Sequence, residues 1–360
     1  MLRNDPKQIR VYFSSVASWD MIRADAATTS WFIGSDASDT LPKKLEAISA
    51  AGFKAIELSF PDIVDYASRI LGHQVATGNY AELITAAGEI RKLCEANSLK
   101  ILMLQPFANW EGWPKDSAER QDAVTRANGW IEIMNVVGTD MLQVGSTDAP
   151  PSKITSDKAQ LVSDLRELAD MLAKRNFRLC YENWCWATYA PTWKDVWEIV
   201  KAVDRPNVGL CLDTFQTAGG EWGDPTTASG LIEDVPFEVL KRNFASSMQE
   251  LSRTIPPEKI YLLQISDAYK PTTPIERKDK GGLRPRGQWS HDFRPFPYNG
   301  GYLPVEEVTQ AVLRTGFRDW FSVEVFDGGP EGKGKKYDMN EYARQAMEST
   351  QRLLKNCASD

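Results

Sequence analysis

The chain alternates short β-prone runs with longer amphipathic segments, and this alternation limits the possible folds more than any other feature. Eight of the runs have the composition of buried strands. They are TSWFIG at 29–34, KAIELS at 54–59, LKILMLQ at 99–105, DMLQVG at 140–145, FRLCYEN at 177–183, VGLCLD at 208–213, KIYLLQIS at 259–266 and WFSVEVF at 320–326. Strands that alternate with helices form a parallel sheet, and eight such units close a (β/α)8 barrel.

The segments between these runs have helical periodicity. In TLPKKLEAISAAG, Leu41, Leu45 and Ile48 share one face, and a proline and a glycine mark the two ends. Similar patterns occur in AELITAAGEIRKLCEAN, RANGWIEIMNVVG, DLRELADMLAKRN, TWKDVWEIVKAV and PVEEVTQAVLRTG. We predict an α/β fold, a single (β/α)8 TIM barrel over 26–360, with an N-terminal extension at 1–25 and a terminal helix at 338–357. An open doubly wound sheet is the alternative, although no glycine-rich phosphate loop follows an early strand.

Composition excludes several classes of protein. The net charge of −7 argues against a broad basic face for nucleic acid. The N-terminal residues MLRNDPKQIR contain no apolar core of a signal peptide, and no run of 18 apolar residues could span a membrane. The five cysteines are scattered without C-x-x-C spacing, which is typical of a reducing compartment. We expect a cytoplasmic protein that binds neither nucleic acid nor membrane.

Polar residues close the last four strand-like runs. In order they are Glu182, Asp213, Gln264 and Glu324. The carboxyl ends of barrel strands form the active-site face, so these side chains are expected to converge. Carboxylates so close together need a counter-charge, and an oxygen-only donor set favours Mg²⁺ or Mn²⁺. The pattern predicts a divalent-metal site. Taken singly, each acid also fits a helix N-cap or a salt-bridge partner.

Longer motifs resemble a known family. YENWCWATYAPTWKDVWEIV, RPNVGLCLDTFQTAGGEWGDPTTASG, LQPF, GGYLPVEEV and GFRDWFSVEVF resemble the sugar phosphate isomerase/epimerase (xylose isomerase-like TIM barrel) superfamily, and within it the fungal-type 3-dehydroshikimate dehydratases. The resemblance implies that the same four residues bind the metal. It implies a lyase that dehydrates a cyclic hydroxy-ketone acid through a metal-stabilised enolate to give protocatechuate. The alternative is an isomerase or epimerase that uses the same metal on a different, more apolar hydroxy-ketone.

The resemblance also assigns residues to a small, anionic substrate. Ser290 and Arg294, in WSHDFRPF, match a pair that holds the substrate's carboxylate and hydroxyls. A guanidinium offers a planar fork to a carboxylate, so Arg294 suits this task and is a candidate catalytic residue. His291 lies between them and is the candidate acid or base, with a solvated loop histidine as the alternative.

Three positions depart from the family pattern. Gln216 stands where many relatives carry a histidine base, and an amide cannot take up a proton at neutral pH. Phe60 and Pro61 stand where the fungal dehydratases have a polar His–Glu pair. We expect Gln216, Phe60, Trp110 and Trp184 to contact the substrate in a partly apolar pocket. Each tryptophan, taken alone, is more typical of core or rim packing.

Other functions remain open at this stage. An endonuclease of the same barrel type is disfavoured by the acidic charge and by the presence of only two histidines. A binding protein or an inactive enzyme would be favoured by a metal site that is empty or that lacks open positions. The basic stretch at 275–287 fits either a lid over an anionic substrate or a solvated loop. The sequence is also compatible with a homo-oligomer.

Overall fold

The strands of the fold determine where the functional side chains lie. The computed structural model describes residues 26–30 and 38–358. In chain order, the strands within these residues are β1 (Ala26–Thr29), β2 (Ala55–Ser59), β3 (Lys100–Phe107), β4 (Met141–Gly145), β5 (Arg178–Glu182), β6 (Val208–Asp213), β7 (Ile260–Ile265), β8 (Phe293–Arg294), β9 (Trp320–Val323) and β10 (Phe326–Asp327).

Eight of these strands form a closed parallel barrel. β1 to β7 pair in chain order, β9 pairs with β7, and β9 also pairs with β1 to close the ring. The two remaining strands, β8 and β10, pair antiparallel with each other beside the barrel. The predicted (β/α)8 TIM barrel is therefore confirmed.

Helices surround the barrel in the alternating order that the sequence predicts. Within the described residues they are α1 (Leu41–Ala50), α2 (Phe60–Leu71), α3 (Tyr80–Ala96), α4 (Ala118–Val137), α5 (Lys158–Ala173), α6 (Trp193–Val203), α7 (Thr214–Glu221), α8 (Phe237–Thr254), α9 (Pro285–Asp292), α10 (Val305–Arg314) and α11 (Met339–Cys357). The terminal helix predicted at 338–357 is α11. Gly52 has a φ of +93°, which favours glycine just after the end of α1.

The first and last barrel strands differ from their predicted ranges. β1 covers Ala26–Thr29 instead of 29–34, and residues 31–34 lie outside the described part. This strand has the sequence AATT and pairs Ala27 with Ala55, so it lacks the large apolar residues by which a hydrophobicity pattern finds a strand. β9 ends at Val323, and Phe326 instead pairs with Arg294 in the small sheet. The predicted extension at 1–25 lies outside the described residues.

The barrel interior has an apolar layer with a polar layer above it. One residue from each of seven strands belongs to the apolar layer, namely Ala27, Ala55, Met103, Met141, Cys180, Cys211 and Leu262, and Leu102 of β3 packs with them. Side chains alternate along a strand, so the residue two positions further on also faces inward. Those residues are Thr29, Glu57, Gln105, Gln143, Glu182, Asp213 and Gln264, all of them buried. The polar layer lies at the carboxyl ends of the strands, where barrel enzymes place their chemistry.

Candidate active site

Three carboxylates meet at the top of the polar layer. Glu182 ends β5, Asp213 ends β6, and Glu324 directly follows β9. One oxygen of each lies within 4.8 Å of the others, and all three side chains are buried. Burial raises the pKa of Glu182 well above its usual range, and the charges of Glu324 and Asp213 raise it further. Burial raises the pKa of Glu324 in the same way, although Arg294 opposes the rise.

Arg294 supplies a positive charge to this cluster. Its Nη2 lies 2.5 Å from Asp213 Oδ2 and 3.0 Å from Glu324 Oε2, and its side chain is 1% exposed. Burial alone would lower the pKa of Arg294, but Asp213, Glu324 and Glu182 raise it above its usual range. The resemblance implies that this guanidinium faces a substrate carboxylate. In the structure it donates a hydrogen bond to Asp213 and forms an ion pair with Glu324.

Asp213 has two further structural roles that the sequence left open. It is the N-cap of α7, and its Oδ1 accepts hydrogen bonds from the backbone N–H groups of Phe215 and Gln216. Its Oδ2 accepts from Arg294. Each carboxylate oxygen has two lone-pair directions, so these bonds leave acceptor capacity for a cation. Cap, salt-bridge partner and cation ligand are therefore compatible roles for this residue.

Gln264 joins the cluster from β7 through its amide group. Its Nε2 donates to Glu57 Oε2 at 2.8 Å and to Glu324 Oε1 at 3.2 Å. Burial raises the pKa of Glu57 to about 7, while hydrogen bonds from Ser322 and Gln264 oppose the rise. Glu57, on β2, therefore belongs to the polar cluster although it lies on the far side of the ring from β5 and β6.

Glu182 is held on one side by its neighbours. Its Oε2 accepts hydrogen bonds from Gln143 Nε2 and, at 3.2 Å, from the indole Nε1 of Trp184. The Trp184 ring lies so close to Gly145 that a Cβ there would stand 2.1 Å from it. Trp184 also stacks on Trp186, with ring centroids 5.2 Å apart. Trp184, predicted to contact substrate, thus lies directly against a carboxylate of the cluster.

The donor set fits a divalent cation with oxygen ligands. Within the described residues, Glu57 Oε1, Gln143 Oε1, Glu182 Oε1 and Gln264 Oε1 are buried without a hydrogen-bond partner. Buried polar atoms are nearly always paired, so four such oxygens beside three carboxylates indicate a ligand site. Carboxylate and amide oxygens are the ligands of hard cations. The four predicted ligands lie on four neighbouring barrel strands.

The residues around α9 lie next to this cluster. Ser290 is buried and its Oγ accepts from Arg294 Nη1 at 3.3 Å. His291 is exposed, and its ring packs between Trp186 and Phe326 at centroid distances of 6.1 and 5.7 Å. Its Nδ1 lies 2.7 Å from the Gly287 carbonyl oxygen, which can only accept, so Nδ1 carries the proton. The Nε2 of a neutral His291 is then an unprotonated nitrogen.

The other predicted substrate contacts have different surroundings. Gln216 is buried beside Asp213, and its Oε1 accepts from the Cys185 backbone N–H at 2.9 Å. Phe60 stacks on Trp130 of α4 at 4.4 Å. Trp110 is fully buried and donates from Nε1 to the Asp164 carbonyl oxygen in α5. The structure therefore brings Gln216 to the cluster, whereas Phe60 and Trp110 pack in the helical layer.

Two members of the polar layer that bond to predicted ligands, Glu57 and Gln143, were not predicted from the sequence. Both lie in the first four strand-like runs, whereas the predicted ligands come from the last four. A period-two pattern would have found both, because Ala55 is followed two residues later by Glu57 and Met141 by Gln143. The same spacing joins Cys180 to Glu182, Cys211 to Asp213 and Leu262 to Gln264.

The geometry agrees with comparisons to known proteins. A family model described as "Xylose isomerase-like TIM barrel" matches residues 45–354. The chain belongs to the xylose isomerase-like TIM barrel family. The family resemblance inferred from the motifs is therefore confirmed.

Similar proteins within the family include two 3-dehydroshikimate dehydratases and a solved fusion protein. The chain is 33% identical to the 3-dehydroshikimate dehydratase of Neurospora crassa over 311 residues, which cover 82% of this chain and 85% of the fungal protein. It is 31% identical to the 3-dehydroshikimate dehydratase of Pseudomonas aeruginosa over 81% of this chain, but spans only 37% of that longer protein. A solved xylose isomerase-like TIM barrel/4-hydroxyphenylpyruvate dioxygenase fusion protein matches with a TM-score of 0.68 and 26% identity, over 93% of this chain and 43% of that one.

Two further observations concern membrane-spanning helices and cysteines. The helices in the described part of the chain include none that is long and apolar enough to cross a membrane. All five cysteines are buried, and none forms a disulfide within the described residues. The compartment and the oligomeric state stay predictions.

Proposed function

We propose that this protein is a metal-dependent 3-dehydroshikimate dehydratase, a lyase that converts 3-dehydroshikimate to protocatechuate and one water. The observation that carries the proposal is the similarity to the fungal 3-dehydroshikimate dehydratase, which extends over most of both chains. Two bacterial relatives with the same name support it. The buried carboxylate cluster provides a site with the matching chemistry.

We further propose Glu182, Asp213, Gln264 and Glu324 as the metal ligands, with Mg²⁺ or Mn²⁺ as the cation. The oxygen-only donor set supports this choice over softer metals. A cation at this position would supply Lewis acidity beside the substrate's ketone, where negative charge develops when the adjacent proton leaves. The residues' own part is to fix the donor atoms. Gln143 and Trp184 hold Glu182, while Arg294 holds Asp213 and Glu324.

His291 is the proposed proton-transfer residue. Gln216 cannot act as a base, and its carbonyl oxygen is already bonded to the Cys185 backbone N–H. His291 keeps Nδ1 protonated through the Gly287 carbonyl, which leaves Nε2 able to take up a proton. Both its ring and the Arg294 guanidinium pack on Phe326, at 5.7 and 5.4 Å from the centroid of that ring. One side chain, Phe326, therefore separates His291 from Arg294, which contacts the carboxylate cluster.

The proposed substrate is a small carboxylate anion. Ser290 and Arg294 remain the proposed groups for its polar substituents, with Trp184 beside its ring. We also propose a cytoplasmic location and no nucleic-acid or membrane partner, as the acidic charge and the absence of apolar spans in the sequence suggest.

The product formed from 3-dehydroshikimate tests the function. Purified protein loaded with Mn²⁺ should generate the ultraviolet absorbance of protocatechuate, with product identity checked by NMR. Glu182→Gln should abolish this signal. A surface control such as Glu341→Gln should leave it unchanged.

The alternative is an isomerase or epimerase acting on another hydroxy-ketone. Gln216, in place of the relatives' histidine, is the observation that favours it. Solvent deuterium incorporated into recovered 3-dehydroshikimate, without protocatechuate, would support proton exchange without dehydration and contradict the lyase.

A further inference from the structure

Glu57 contacts a proposed metal ligand from across the barrel. It lies on β2, and β1 and β9 separate that strand from β7 in the order of pairing. Its Oε2 nevertheless accepts a hydrogen bond of 2.8 Å from Gln264 Nε2, a contact between residues 207 positions apart in sequence. Both side chains are completely buried. The bond therefore crosses the interior of the barrel and is shielded from solvent.

This contact determines which way the Gln264 amide faces. Its Nε2 lies against two carboxylates, Glu57 and Glu324, which can only accept hydrogen bonds when ionised. The opposite amide orientation would put Gln264 Oε1 against both and replace two attractions by two repulsions. The observed orientation leaves Oε1 buried and without a partner within the described residues. That oxygen is the only atom of the amide able to bind a cation.

A second ligand is held in the same way. Glu182 accepts from Gln143 and Trp184 on Oε2, while its Oε1 has no partner among the described residues. Ligands to metals are commonly oriented by outer hydrogen bonds, and loss of such a bond typically weakens metal binding about 10- to 100-fold. For a glutamine the need is greater than for a carboxylate, because only one of its two terminal atoms can serve as a ligand.

We infer that Glu57 is a positioning residue, which fixes the Gln264 amide with its oxygen available to the cation and its nitrogen turned away. This inference rests on the proposed metal site. It assigns Glu57 no contact with substrate. It also predicts that the geometry of the Glu57 carboxylate matters in addition to its charge.

Mn²⁺ affinity measures the effect separately from turnover. Free Mn²⁺ can be counted by electron paramagnetic resonance during titration of the full-length, EDTA-treated protein. Glu57→Gln leaves only a neutral amide oxygen to accept from Gln264, a weaker acceptor than the carboxylate, and should weaken binding roughly tenfold. Glu57→Asp keeps the charge but withdraws the carboxylate by one methylene, and it should weaken binding to a similar extent. Glu111→Gln is the control, since Glu111 is an equally buried acid that bonds to Tyr181 and Thr147 instead of to a proposed ligand.

A double-mutant cycle with Gln264→Ala separates orientation from charge. If Glu57 acts through Gln264, then Glu57→Gln should change Mn²⁺ affinity by about twofold or less once the amide is gone. Equal losses with and without Gln264 would overturn the inference, as would wild-type affinity in Glu57→Asp. These outcomes would leave the proposed function intact. A wild-type protein that binds no Mn²⁺ would overturn both.

Thermal unfolding in EDTA accompanies each variant to verify its fold. Glu57→Gln is isosteric and Glu57→Asp retains the ion, so the two variants disturb the core in different ways. Agreement between them on Mn²⁺ affinity supports positioning. A loss in Glu57→Gln alone would show that charge suffices and would overturn the inference.

Discussion

Arg294 is the residue on which the charge balance of the site depends. Its guanidinium is fully buried, donates a hydrogen bond to Asp213 and forms an ion pair with Glu324, and its central carbon lies 4.5 Å from the centroid of the Phe215 ring. Three carboxylates within 4.8 Å of one another would repel strongly in so dry an environment. A buried ion pair contributes little net stability, but removal of one partner leaves an uncompensated charge.

Arg294→Met should therefore destabilise the metal-free protein by about 3–5 kcal/mol. Urea unfolding in EDTA, followed by circular dichroism, measures the free energy of unfolding. Arg344→Met is the control, because Arg344 is an exposed arginine that also pairs with two acids. It should cause no measurable change. Equal effects of the two substitutions would contradict the role given to Arg294.

His291 allows a prediction about proton transfer. His291→Gln keeps the size of the side chain but removes the basic nitrogen. Loss of a general acid or base typically costs about 10²- to 10⁴-fold in rate, so kcat for 3-dehydroshikimate should fall within that range. Mn²⁺ affinity should stay unchanged because His291 is not among the proposed ligands. A variant with wild-type kcat would show that another group moves the proton.

Asp267, in the loop after β7, makes the stability of the fold depend on pH. Its Oδ1 accepts from the backbone N–H groups of Ala268 and Leu303, at 2.7 and 2.9 Å. Burial raises its pKa from 3.8 to about 7, although these bonds oppose the rise. Between these values the folded protein keeps a proton that the unfolded chain releases. Stability attributable to Asp267 therefore falls as the pH rises from about 4 to about 7.

Asp267→Asn should flatten this part of the pH profile. The asparagine keeps a carbonyl oxygen for the two N–H groups and cannot ionise. The difference between the free energies of unfolding at pH 4.5 and pH 7.5 should shrink by about 2–4 kcal/mol relative to wild type. Urea titrations at the two pH values provide the measurement. An unchanged difference would show that Asp267 is ionised throughout.

At the scale of elements, the segment between β7 and α9, residues 266–284, is bonded to neighbouring loops by arginine. Arg284 donates to the Trp186 carbonyl at 2.7 Å and to Thr188 Oγ1 at 2.8 Å. At the start of α9, Arg286 donates to the carbonyls of Gly219 and Gly223, both at 2.9 Å. The basic stretch is thus held by hydrogen bonds to the loop after β5 and to the end of α7.

Arg284→Ala should release this segment locally. Two hydrogen bonds from a charged donor are lost, so amides in 275–284 and 186–188 should exchange with deuterium several-fold faster, whereas the barrel strands keep their protection. Hydrogen-exchange mass spectrometry resolves these peptides. Lys278→Ala, at an exposed ion pair with Glu276, is the control. Equal exchange in both variants would contradict the proposed attachment.

Strand ends were predictable from sequence, whereas side-chain direction in the loops was not. Glu182, Asp213 and Gln264 could be predicted because a polar group that closes an apolar run is conspicuous. Phe60 and Trp110 were expected beside substrate, but nothing local indicates whether a loop aromatic turns to the barrel mouth or to the helices. The partners of Arg294 also could not be deduced, since its bond to Asp213 joins positions 81 residues apart.

At the scale of the whole molecule, the barrel is a stack of two layers with opposite character. The apolar layer closes the interior below, and the polar layer keeps its unpartnered oxygens buried at the carboxyl ends of the strands. The family relationship adds the chemistry that such a layer performs. We propose that this layer holds one divalent cation and that dehydration of 3-dehydroshikimate depends on it.

The first measurement is a titration of EDTA-treated protein with Mn²⁺. Bound metal and protocatechuate formation are followed in the same samples, so that turnover can be compared with metal content. Turnover should be absent without metal, rise in proportion to bound Mn²⁺ and level off at one equivalent per chain. Full turnover in a protein shown to contain no metal would contradict the account.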